Sequence, residues 1–413
     1  MMLGKHSVLK ETTPWYLLLF VTIATVGGSF SIGQYGIYIL LLIFAVIQCE
    51  LNILKKRRLV LPLNNVGIYL VYIIVFWICS MFNGDGDMGR ISLTINYIIC
   101  LVMYLMLGQM VNSKNKVNDV INLFIGILLF DCMVTILQFH NIAFGWGIWF
   151  FFNDADKVEQ SDLILNLASG SQVLGDGELF CPGLFPTQVY NGYIVASLGV
   201  FVLYKSQIPK KLLVYKIFHI VMLAVVVYSL FVIQQRMAFV LFLFVFVIVY
   251  FSRYKALTII VALSVALFYI CYGFNLDENL LGRYSDLHDE TRSRLYETGI
   301  DYVLNHLMLG GRAGYLNLNN LSVHNVFLNA FLYGGIVGAL LIIVIFFKMC
   351  GRAGRIIINS IHHDITPATA FAYSLLIYNL ISLVHNNSLL TGEPIIWILY
   401  ALMIISYRFE NAK

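Results

Sequence analysis

Charge is what this sequence has least of. Acidic and basic side chains make up 12% of its 413 residues, about half the share of an ordinary soluble domain. With 60% hydrophobic and 15% aromatic residues and a mean hydropathy of +0.83, such a chain cannot hide its apolar surface from water. No repeat of solenoid period and no low-complexity tract is present, which excludes stacked-repeat architectures and long polar linkers. Seven cysteines are present, and most fall inside apolar runs as small hydrophobes, so no disulfide framework is expected. Cys181 alone sits in a long loop. The first apolar run, from Trp15, carries no small-residue cleavage pattern and is expected to serve as an insertion signal without being removed.

What is present in quantity is the apolar run. A hydrocarbon core of about 30 Å takes roughly 20 helical residues, and runs of that order recur to the C-terminus. Helices are required, because lipid offers no partner to unpaired backbone groups. The polar breaks predict an all-α polytopic membrane protein with about twelve transmembrane helices. They lie near residues 15–31, 34–54, 66–82, 91–111, 119–139, 187–204, 212–233, 237–251, 256–274, 325–347, 366–385 and 394–407.

If the N-terminus lies inside, 19 of the 26 basic residues fall on one side of this arrangement. The other side keeps Arg90, Lys157, Arg236, Arg283, Arg292, Arg294 and Arg312. The positive-inside rule then puts both termini in the cytoplasm. The net charge of +4 is thereby explained by anchors at the inner leaflet, and nucleic acid is not an expected partner. The chain reads as one membrane domain over 1–413 with two large outer loops, 140–187 and 275–323, and long ordered loops usually carry function.

In the second loop, TRSRLYETGIDYVLNH places Arg292, Tyr296, Ile300 and Val303 on one helical stripe, with acidic residues near its start, so an amphipathic surface helix is expected. A glycine-rich stretch, LGGRAGYLNLNNLS, follows it. His324-Asn325 then leads straight into an apolar helix.

An arginine four residues before an aromatic, a glycine turn, HN-x-x-L and a G-x-x-G helix resemble the O-antigen ligase and polymerase superfamily. The matching residues are Arg292 with Tyr296, Leu309-Gly310-Gly311, His324-Asn325 with Leu328, and Gly335 with Gly338. QQRMAFVL is similar to the family's arginine at the outer start of a helix, which falls here on Arg236. The layout agrees over nearly the whole chain and the motifs over about fifty residues. Two positions depart: Tyr296 stands where a tryptophan is usual, and Gln235 where a serine is usual.

The resemblance implies an enzyme of the bacterial cytoplasmic (inner) membrane, acting on its outer face. It would transfer glycan from one undecaprenyl-pyrophosphate-linked oligosaccharide to another, without a nucleotide sugar, a metal or another cofactor, and with a chain-length regulator as a further partner. The polymerase and the ligase that attaches glycan to lipid A core share these motifs. A lipid-linked oligosaccharide flippase would explain the hydropathy equally well.

Glycan transfer from a lipid pyrophosphate needs cations on the departing diphosphate and a means of making the acceptor oxygen nucleophilic. Arginine suits the first task, because its fork matches phosphate oxygens and stays charged. Arg236 and Arg292 are candidates for it, the alternatives being a snorkelling side chain and a local ion pair. Arg294 and Arg312 are candidate headgroup contacts, Arg312 because flanking glycines leave its backbone unobstructed.

His324, ahead of a helix N-terminus that favours neutral imidazole, is the candidate base or acceptor-positioning group. Asn325 either orients it, binds a sugar hydroxyl or caps the helix. Tyr296 and His385 are candidate substrate contacts, with Asn386 and Asn387 beside His385. Asp131, an ionisable residue inside an apolar helix, faces either a functional or a hydrated pocket and pairs with Gln138 or His140. Asp85 and Asp87 have the spacing of a divalent-metal motif but sit in a glycine-rich turn, and turn chemistry is the preferred reading. The rings from Trp146 to Phe152 are read as an interfacial belt rather than as sugar-stacking platforms.

Overall fold

The computed structural model describes residues 13–26, 66–82, 87–140, 142–152, 173–174, 178–179, 181–185, 187–208, 213–251, 290–319, 323, 325–360, 365–385 and 393–411, with isolated helical residues at 43, 46, 47 and 50. The expected spans 34–54, apart from those isolated residues, and 256–274 lie outside them, as do Asp85, His324, Asn386 and Asn387.

The described chain is helical. Its helices are α1 (Trp15–Val26), α2 (Val66–Phe82), α3 (Asp87–Met110), α4 (Lys114–Phe139), α5 (Ala143–Phe152), α6 (Gln188–Gln207), α7 (Leu213–Ile233) and α8 (Arg236–Phe251). After them come α9 (Glu290–Asn305), α10 (Arg312–Asn319), α11 (Val326–Ser360), α12 (Pro367–His385) and α13 (Pro394–Asn411). The one extended feature is a two-residue antiparallel pairing, Val173 with Leu179 and Leu174 with Glu178. Among the described residues three helices, α4, α7 and α11, are long and apolar enough to cross a membrane.

Local sequence sets many of the boundaries. Ser113 and Thr187 cap α4 and α6, accepting from the amides of Lys116 and Tyr190, which satisfies donors that a helix start leaves free. Pro367 and Pro394 open α12 and α13, at the position where a missing N–H costs nothing. The core is aromatic where helices cross. Phe124 of α4 stacks on Phe201 of α6 at 5.4 Å, and Phe371 of α12 meets Phe201 edge-on at 4.8 Å. Helix α12 is the hub, packing against α6, α8, α11 and α13.

Two expectations for this region are corrected. The packed face of α9 carries Leu295, Gly299 and Val303, while Ile300 is 47% exposed. Leu295 is the buried anchor of that face. The glycine-rich stretch is part turn and part helix, since α10 starts at Arg312. The apolar helix after Asn325 is not continuous: Gly335, with φ 57 and ψ −161, breaks α11 before it runs on to Ser360.

A candidate site where a surface hairpin enters a broken helix

The break at Gly335 leaves the backbone groups around it without helical partners, and the α9–α10 hairpin supplies them. The Gly311 amide donates to the Leu332 carbonyl at 3.0 Å, and the Ile336 amide donates to the Leu307 carbonyl at 2.8 Å. The fit tolerates only glycine. A Cβ at Gly310 (φ 80) would lie 2.4 Å from the Leu332 oxygen, and one at Gly335 would lie 2.0 Å from the Met308 oxygen. Around this junction Leu295, Val303, Tyr315, Val323 and Leu332 form a small apolar core of their own, with Tyr296 and Leu328 packed on it. The Tyr315 hydroxyl donates to the Leu295 carbonyl at 3.1 Å, and burial raises its pKa.

Besides Tyr296, two sequence-predicted residues belong to this junction. Arg312 begins α10 with its guanidinium 4.8 Å from the centre of the Tyr333 ring, a cation–π distance. Tyr333 is itself buried against Phe76 of α2 at 5.9 Å. Asn325 accepts from the amides of Phe327 and Leu328 at 2.9 and 3.1 Å. It is therefore the N-cap of α11, one of the readings left open for that side chain.

Tyr296 is half-buried on the small core and Arg294 is exposed. Arg292 lies in the first turn of α9 and shares a helical register with Gly299 and Val303; His385 is the last residue of α12. The side chains of these two residues, and His324 altogether, lie outside the described residues.

Arg236 sits on a second structure. It opens α8 after a two-residue turn in which Gln234 has φ 56 and Gln235 is buried. Two residues of α6 fix this turn: the Gln188 side chain donates to the Ile233 carbonyl, and Gly192 lies so close that a Cβ would come within 2.7 Å of the Gln235 side chain. The start of α6 is fixed in its turn by the tight loop at Cys181–Phe185. Gly183 (φ 61) exchanges two hydrogen bonds with the Gln138 side chain, at 2.8 and 3.0 Å, and Asp131 accepts from the Leu184 amide at 2.8 Å.

Asp131 is thus fully buried, and its Oδ1 is held by a backbone amide rather than by Gln138 or His140. Sequence reasoning missed this because the partner is 53 positions away. The same loop corrects the aromatic belt. Trp149 is fully buried and its indole donates to the Phe185 carbonyl at 2.8 Å, whereas Phe144 and Phe151 are exposed. Cys181 is buried there too, and desolvation pushes its thiol up to about 12.

Two assemblies follow, Arg312 and Asn325 on the hairpin junction and Arg236 on the α6–α8 turn. Helix α12 bridges them, because α8 packs on α12 and α12 on α11. No protein-family model matches the chain, and no curated protein matches it. The cysteines among the described residues are free, and no group of three or more potential metal ligands is placed together among those residues.

Proposed function

We propose that this chain is a membrane glycosyltransferase that polymerises undecaprenyl-pyrophosphate-linked oligosaccharide repeat units, building O-antigen, capsule or exopolysaccharide. The observation that supports it is that several residues carrying the resemblance meet at one joint, with Arg312 beside them. Gly310, Gly311 and Gly335 make the junction, Tyr296 packs on it, Asn325 caps the helix that follows, and Arg312 is held over Tyr333. Membrane insertion is supported by the apolar helices α4, α7 and α11 and by the outward apolar face of α7, where Leu213, Val214, Ile217 and Phe218 are each more than half exposed.

In this reading twelve helices span the bacterial cytoplasmic membrane with both termini inside, and the site opens outward. Arg236 and Arg292 neutralise the departing diphosphate, with Arg294 and Arg312 at its headgroup. His324, following directly before the capping Asn325, positions or deprotonates the acceptor hydroxyl, and Tyr296 and His385 contact sugar. The acceptor oxygen forms a bond to the anomeric carbon as the carbon–pyrophosphate bond breaks, and the electron pair leaves on phosphate.

The test is the glycan profile of a strain lacking the gene. Loss of long chains with a single repeat unit still attached supports polymerase. Loss of all attachment makes the chain a ligase to lipid A core, and accumulation of lipid-linked units on the inner leaflet makes it a flippase.

A further inference from the structure

The α9–α10 hairpin carries apolar side chains that its own small core leaves uncovered. Ile300, Leu304, Met308 and Leu309 are 47%, 63%, 75% and 42% exposed. From Leu295 to Asn305 the helix is divided by side-chain type. At about 3.6 residues per turn, Leu295, Gly299, Val303, Tyr296, Ile300 and Leu304 follow one another round an arc of about 180°. Glu297, Asp301, Asn305 and Thr298 fill the next arc of about 100°. Leu295, Gly299 and Val303 take the first part of the apolar arc into the protein, whereas Ile300 and Leu304 take the rest out of it. A contiguous apolar patch rimmed by polar side chains marks an interaction surface.

What covers the patch follows from where it ends. Met308 and Leu309 lie against Gly335, and the next residue of α11, Ile336, donates its amide to Leu307. Immediately past this point α11 shows a second exposed apolar line, Val337, Leu340, Val344 and Phe347, at spacings of three and four residues, so it occupies one face. Helix α11 is long and apolar enough to cross a membrane, and that face is the one its lipid would cover. The hairpin patch thus runs on into the lipid-facing side of a membrane helix. A soluble partner seated on Leu304 and Met308 would have to border on lipid at Val337, whereas the bilayer covers both surfaces without a seam.

We propose that residues 304–309 are a membrane anchor inserted into the acyl region of the outer leaflet, an inference that rests on the membrane-spanning part of the reading above. Leu304, Met308 and Leu309 enter the hydrocarbon, and Ile300 lies at its boundary. Glu297, Asp301 and Asn305 face the headgroups and water. The partner is lipid hydrocarbon and no particular headgroup; interfacial helices sink their apolar faces about 5–10 Å into the boundary between headgroups and acyl chains. Insertion also fixes the height of the joint. Gly310, Gly311 and Arg312 follow Leu309 directly, so an anchored turn holds the Arg312 backbone near the headgroup plane while Gly335 holds the turn to α11.

The test uses the full chain in liposomes of phosphatidylethanolamine and phosphatidylglycerol, with a nitroxide spin label at Leu304→Cys or Met308→Cys. Both positions are more than half exposed, so a cysteine there leaves the small core in place. Val221→Cys, on the exposed apolar face of α7, is the lipid reference, and Asp301→Cys, on the polar arc of α9, is the water reference. Signal from labelled native cysteines is measured on the unsubstituted chain and subtracted. Collision with oxygen, which concentrates in lipid, is compared with collision with a polar nickel chelate, which stays in water. The logarithm of the oxygen-to-nickel ratio is expected to be positive at Leu304 and Met308, as at Val221, and negative at Asp301. If Leu304 and Met308 take the sign of Asp301 while Val221 stays positive, the turn lies in water and the anchor is overturned. If they are immobile and closed to both reagents, protein covers them, a second copy for example, and the proposal also falls. Should Val221 itself read as water, the membrane-spanning reading fails first and the anchor with it.

Discussion

The amide of Gly311 and the carbonyl of Leu332 meet at 3.0 Å across the break in α11, so a turn outside the helix completes the hydrogen bonding that the helix interrupts. An open backbone group in an apolar setting costs several kcal/mol. The hairpin and the broken helix therefore stabilise each other, and neither is expected to persist alone.

Gly335 is the tightest element of that joint. Its φ and ψ fall in a region that is essentially restricted to glycine, and an alanine there would meet the Met308 carbonyl. Gly335→Ala is expected to cost about 1–3 kcal/mol from backbone strain alone. Gly351→Ala, in the same helix with open space around it, is expected to be neutral or to add up to about 1 kcal/mol. Thermal unfolding in detergent measures both, and equal melting temperatures for the two variants would remove the joint from the account.

Asp131 secures the Cys181–Phe185 loop through one backbone amide. Asp131→Asn keeps an acceptor for Leu184 and is expected to be mild. Asp131→Ala strands that buried N–H, at a cost of about 1–3 kcal/mol, and loosens the start of α6. Protease cleavage near Pro182 in intact membranes reports the loosening, and identical cleavage in both variants would show that the bond does not hold the loop.

The Cys181 thiol is buried and its pKa is pushed up to about 12, so near neutral pH almost no thiolate is present to react. Maleimide is expected to leave Cys181 unmodified in native membranes and to label it fully after denaturation. Rapid labelling of the native protein is the contrary outcome.

Arg312 lies over the face of the Tyr333 ring. Tyr333→Phe preserves the stacking and is expected to leave polymer length intact, whereas Tyr333→Leu loses about 0.5–2 kcal/mol of cation–π attraction. Under the proposed function, Arg312→Ala shortens the glycan. A full-length ladder from Arg312→Ala, at normal expression, would take Arg312 out of the site.

Helix positions were legible in the sequence because an apolar run needs no partner to be recognised. The boundaries of α2, α6, α7, α8, α12 and α13 start within one residue of the polar breaks, and α9 was announced by its alternation of apolar and charged residues. Candidate arginines stood out for the same reason, as charges in a chain with few. The sequence could not supply contacts between distant segments. Nothing in LGGRAG specifies that its backbone fills the gap at Gly335, and nothing near Asp131 announces Leu184. Hydropathy and helix propensity act over a few residues and so are written locally. The break and the buried loop are relations between segments, and only packing of the whole chain decides them.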